Sequence, residues 1–154
     1  MNERIIVTAN GYDCVDGRNA YHSDIKRLTL GAPVLKENQA MQIAAQLWTT
    51  QEDGTLQMSV ELPIHQVFDL MIVLSRTLLY FKDAYRLPLL YDPNNPTIER
   101  IGLQGAALPL SVCTDNPNID KDIQDFSQAL NDLGELTGER IRMLTSILKE
   151  LEYY

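Results

Sequence analysis

Two rhythms of hydrophobic and polar positions run along this chain. Ile5, Ile6 and Val7 end at Asn10-Gly11, which predicts a first strand over residues 4–9. A polar segment follows from Gly11 to Gln39, with one strand-like piece from Ile25 to Leu30. A loop of that length is uncommon in a compact domain, so it is either functional or conceals an element. From Met41 the period is two: Met41, Ile43, Ala45 and Leu47 alternate with Gln42, Ala44, Gln46 and Trp48. Beyond Glu52-Asp53-Gly54, Leu56, Met58, Val60 and Leu62 alternate with Gln57, Ser59 and Glu61. This predicts an antiparallel hairpin with one buried face.

At Pro63 the period changes, since proline suits the first turn of a helix. From Ile64 to about Arg86, Val67, Leu70, Met71, Leu74, Leu78, Phe81 and Tyr85 fall in one arc of about 100° and are expected to face a core. His65, Asp69, Arg76, Tyr80 and Asp83 form the opposite stripe, bordered by Phe68, Ile72 and Leu79. Prolines 88, 93 and 96 mark a turn-rich connector over 87–98, followed by strands at 101–105 and 108–113. Pro109 puts the second of these at a sheet edge or an irregularity. The chain closes on Ile119, Ile123, Phe126, Leu130 and Leu133, then, past Gly134 and Gly138, on Ile141, Leu144, Leu148 and Leu151. The phase slips at the glycines, which predicts a helical hairpin. The sum is an α+β fold: a small, mainly antiparallel sheet, one long central helix and a C-terminal helical hairpin.

Length and charge narrow the picture. With 154 residues, 45% of them apolar, the chain is expected to form one globular domain over 1–154 with its own core. The 13 basic against 21 acidic residues give a net charge of −8, the wrong sign for a nonspecific nucleic-acid binder. Residues 115–154 hold nine acidic and four basic side chains, so the acidity is concentrated at the C-terminal end. Two distant cysteines, Cys14 and Cys113, suit a reducing cytoplasm. The longest uninterrupted apolar run, Leu70 to Leu74, has five residues, and no membrane span is expected.

Candidate chemistry gathers in two places. The polar loop holds Asp13, Asp16, Arg18, Asn19, Tyr21, His22 and Asp24, which can supply acids, bases and an anion seat, or simply hydrogen-bond a surface loop to itself. On the helix, Asp69 lies four residues from His65 and can orient its imidazole; the same spacing is also an ordinary surface pair. Arg76 calls for an acidic partner, which the polar loop can provide. Asp115 to Asp122 lacks the glycine and glutamate of a calcium loop and reads as a helix cap at Asn118 or Asp115. No phosphate-cradling glycine motif, nucleophile elbow or zinc-protease motif occurs, and with two histidines no metal site is assigned.

Tyr12-Asp13-Cys14-Val15-Asp16-Gly17-Arg18-Asn19-Ala20, Glu61-Leu62-Pro63-Ile64-His65, Leu90 to Pro96 with Arg100 to Gly105, and Val112 to Asn116 resemble a family of small bacterial proteins classed as a domain of unknown function. The resemblance spans nearly the whole chain and implies a bacterial, single-domain protein. It brings no activity, cofactor or catalytic residue. Two function classes follow. The favoured one is a noncatalytic cytoplasmic module that forms homodimers and binds a protein or a small anionic ligand through Asp13, Asp16, Arg18, Asn19, Tyr21 and Arg76. The other is a small hydrolase or acid–base enzyme with His65 as base, oriented by Asp69, Arg18 or Arg76 binding an anionic substrate, and Asp13, Asp16 or His22 completing the site.

Overall fold

The computed structural model describes residues 4–15, 24–33 and 42–153. The fold is α+β, and its elements divide into two compact units, Met1–Met71 and Ile72–Tyr154.

The first unit holds a four-stranded antiparallel sheet in the order β1 (Ile5–Asn10), β2 (Ile25–Gly31), β3 (Ala44–Thr50), β4 (Leu56–Pro63). A 3-10 turn at Tyr12–Cys14 is an element the polar segment concealed. The β3–β4 turn is held by Asp53, whose Oδ1 accepts from the Thr55 N–H at 3.0 Å and the Thr55 hydroxyl at 2.6 Å. Gly54 there has φ +86°, a conformation that favours glycine.

The hairpin exists as the alternation predicts, but its apolar set is not the buried one. Ala44, Gln46 and Trp48 are buried, whereas Ile43 is exposed and Ala45 and Leu47 are half-buried. A β-bulge explains part of the inversion. Leu47 pairs with Val60 while Trp48 pairs with Met58, so Ser59 is the extra residue, and its hydroxyl donates to the Leu47 carbonyl at 3.1 Å. Met58 thereby joins the face of Trp48, and Val60 and Leu62 stay on the other. Register then fixes two unlike surfaces. One carries the row Thr8, Thr29, Gln46, Glu61 and the row Asn10, Arg27, Trp48, Met58; the other carries Val7, Leu30, Ala45, Leu62 and Ala9, Leu28, Leu47, Val60.

Helix α1 (Ile64–Asp83) runs directly out of β4 and continues as a 3-10 turn at Ala84–Arg86. Pro63 closes the strand rather than opening the helix. No residue of α1 is fully buried, and Leu70, Leu74 and Tyr85, expected against a core, are exposed along with Phe68 and Leu79. The 23 residues from 64 to 86 are also long and apolar enough, by length and composition, to cross a bilayer. Uninterrupted apolar runs do not reveal this, because a helix averages its hydrophobicity over whole turns. Asp69 and Arg76 lie within the stretch, and each would cost about 3 kcal/mol at a bilayer centre.

In the second unit β5 (Thr97–Gly102) and β6 (Ala107–Ser111) form an antiparallel ribbon, a second sheet where one was expected. Each strand has a free edge, which is where Pro109 is tolerated. Tyr91, Val112 and Ile123 form the core, packed by Tyr80, Phe81, Leu89, Leu90, Ile98 and Ile119. Tyr80, assigned by its spacing to the polar stripe, packs here because its hydroxyl finds an acceptor in the Leu90 carbonyl at 3.1 Å. Leu90 has φ +66°, uncommon for a branched residue; its N–H is also engaged, by the Leu87 carbonyl at 3.0 Å. The Tyr91 hydroxyl donates to Asp120 at 2.8 Å, and that bond, followed by desolvation, raises its pKa.

The helical pair comprises α2 (Ile119–Asp132) and α3 (Gly134–Leu151). Leu133 alone separates them, one residue before the glycine, and 4-residue-spaced backbone bonds run on both sides of it: Leu133 to Ala129 at 3.0 Å and Thr137 to Leu133 at 2.9 Å. Asn118 occupies the N-cap of α2 without a side-chain cap bond; Asn116 fixes the entry instead, accepting the Asn118 N–H and donating to Asp122, both at 2.9 Å. Asp120 and Asp122 complement the positive end of the helix.

Candidate functional site

In the first unit the residues expected to hold a ligand are only partly described. Asp16, Arg18, Asn19, Tyr21 and His22 lie outside the described residues. Asp13 sits in the 3-10 turn and accepts from Lys26 Nζ of β2 at 3.0 Å. That bond holds its carboxyl below the usual carboxylate range. His65 is exposed on the first turn of α1, and no hydrogen bond or ion pair joins it to Asp69. The orientation that a general base at His65 requires is therefore not made in this structure. Arg76 meets Glu99 of β5 at 3.7 Å, a half-exposed pair within the second unit. Among the described residues, the acidic partner it needed comes from that strand.

A more highly built cluster lies on the polar side of the sheet, and sequence reading missed it. Gln46 is 2% exposed. Its Oε1 accepts from the Thr29 hydroxyl at 2.7 Å, and its Nε2 donates to Glu61 Oε2 at 2.9 Å and to the Ala32 carbonyl at 3.2 Å. The Thr29 oxygen in turn accepts from Trp48 Nε1 at 2.8 Å. Thr29, Gln46 and Glu61 are direct cross-strand neighbours, so the register itself aligns the relay. At its end Arg27 stacks on the indole, with Cζ 4.4 Å from the ring centroid. The signal was present as Thr29, Gln46 and Glu61 at strand spacing, but polar residues at period two read as a solvent face.

The second unit contains a cavity of about 320 Å³. Phe81, Val112, Ile119, Ile123 and Phe126 give it apolar walls, and Ser111, Cys113 and Asp122 add polar atoms. Phe81 and Phe126 are 5.3 Å apart between centroids and fix part of the wall. Both cysteines, Cys14 and Cys113, are free and exposed. Among the described residues no group of three His, Cys, Asp or Glu side chains could hold a metal ion.

An α+β chain with an apolar cavity and a buried polar relay defines a broad class. More narrowly, residues 1–153 match the model of a family of unknown function, DUF6530, and the chain belongs to that family. No curated protein and no solved structure matches the chain.

Proposed function

We propose that this protein is a noncatalytic binding module whose ligand seat is the cavity between α1, β6 and α2 in the second unit. The observation that carries the reading is the chemistry of that cavity. Its size falls within the range of small-molecule sites, and such sites pair mostly apolar walls with a few polar groups that orient the ligand. Ser111 and Asp122 supply those groups, so the matching ligand is a small apolar molecule with one hydrogen-bond donor. Two exposed free thiols support a reducing compartment such as the cytoplasm as its place of action.

The test uses the two thiols against each other. Cys113 lines the cavity and Cys14 belongs to the other unit. In a thermal-shift screen of indole, phenol and short aliphatic alcohols, a compound that seats there raises the melting temperature. The same compound should slow alkylation of Cys113 by iodoacetamide and leave Cys14 unchanged. If none of the probes raises the melting temperature, or those that do leave Cys113 equally reactive, the reading is wrong.

Self-association rests on a separate observation, the apolar surface of the first unit's sheet. Val7 is 54% exposed and Val60 40%, and no residue in their two cross-strand rows is polar. Two copies can set these rows against each other without leaving a polar group unpaired, the self-complementarity that a two-fold dimer needs. Light scattering coupled to size exclusion is expected to give a dimer mass for the wild type and a monomer mass for Val60→Lys. A monomeric wild type at tens of micromolar overturns it.

A further inference from the structure

We propose that Arg27, stacked on Trp48, is a binding site for a small oxyanion, a carboxylate or phosphate group. This site stands on the first unit alone and is independent of the cavity described above.

The Arg27 side chain makes no hydrogen bond and no ion pair with any described residue, and its Nε is buried without an acceptor. A guanidinium carries five N–H donors and stays charged at every accessible pH. Here one donor is shut off from water and the ring beneath removes solvent from one face of the plane, so the cation is incompletely solvated. The unmatched N–H is a standing cost to the fold, and an acceptor that reaches the guanidinium compensates its charge.

The cation is also held in place. Trp48 is buried and tied through Nε1 to Thr29, Thr29 to Gln46, and Gln46 to Glu61 and the Ala32 carbonyl. Three neighbouring strands thereby fix the indole, and the indole fixes the guanidinium. A preorganised fork loses little freedom when it binds, and its paired N–H groups match the spacing of two oxygens on a carboxylate or phosphate. Lys26, the neighbouring cation, is already neutralised by Asp13 at 3.0 Å. The contrast marks Arg27 as a cation that lacks a counter-charge among the described residues.

Trp48 is the only tryptophan in the chain, so its emission reports on this site alone. Titration of the wild-type protein with inorganic phosphate, and separately with succinate, at constant ionic strength should change that emission saturably. The arm that saturates at lower concentration assigns the group. Arg27→Gln should abolish the response while its far-UV circular dichroism stays that of the wild type. Arg27→Lys, which keeps the charge and loses the fork, should weaken binding by about tenfold. Lys26→Gln should leave it intact. A wild-type emission unmoved by both probes overturns the proposal, and so does a saturable response that survives unchanged in Arg27→Gln. Should Arg27→Gln fail to fold, a response equally strong in Arg27→Lys and in the wild type overturns it as well.

Discussion

Single residues decide more of the first unit than their chemistry suggests. Gly31 is an example: a Cβ there would run into the Arg4 carbonyl oxygen and lie 2.9 Å from Ile5 Cα, both backbone atoms that side-chain motion cannot clear. The close approach is used, since the same Arg4 carbonyl accepts the Ala32 N–H at 3.0 Å. Gly31→Ala should therefore lower stability by about 2 kcal/mol, the usual penalty of forced overpacking, read as a drop in the urea midpoint with unchanged slope. An unchanged midpoint would mean β1 is not pinned to β2 at that point. Gln46 shows where residue identity misled. A glutamine at period two looks solvent-facing, and only its partners on the adjoining strands reveal a buried, saturated amide. Those partners sit 17 and 15 residues away, beyond the reach of any local pattern.

At the level of elements, the hydrophobic rhythm located both strands of the hairpin, the long helix and the C-terminal pair. Strand β5 was placed too late, because Pro96 and the asparagines before it look like a connector up to the residue where pairing begins. The buried face of β3 and β4 was hidden for another reason. A bulge adds one residue and transfers Met58 to the opposite surface from Val60, and alternation alone carries no mark of such a shift. The β3–β4 turn is legible in Asp53-Gly54, and its geometry makes stability depend on pH. Asp53 has a lowered pKa, first from the Thr55 hydroxyl and then from the Thr55 N–H. A depressed carboxylate pKa stabilises the fold above the unfolded value of about 3.9, and that contribution disappears as pH falls through the folded value. Asp53→Asn should thus be less stable than wild type at pH 7, with the gap closing below about pH 4. Denaturation midpoints at the two pH values check this; a gap that stays constant would remove Asp53 as the titrating group.

For the whole molecule, the fold class was readable and the site was not. The loop singled out for its charges lies largely outside the described residues, while the two best-built sites draw on residues of ordinary strand and helix composition. Net charge illustrates the gap. A total of −8 argues against nucleic acid, yet it is a sum, and among the described residues Arg27 has no counter-charge. Affinity for a small ion depends on that local imbalance more than on the total, because salt screens charges beyond about 8–10 Å. One last feature is practical. Each unit carries a single cysteine, Cys14 in the first and Cys113 in the second, both exposed and unpaired. Natural chemistry has thus placed one attachment point per unit, so a donor and an acceptor dye can be installed without mutating the protein, and energy transfer between them becomes a ruler for any motion that ligand binding sets off.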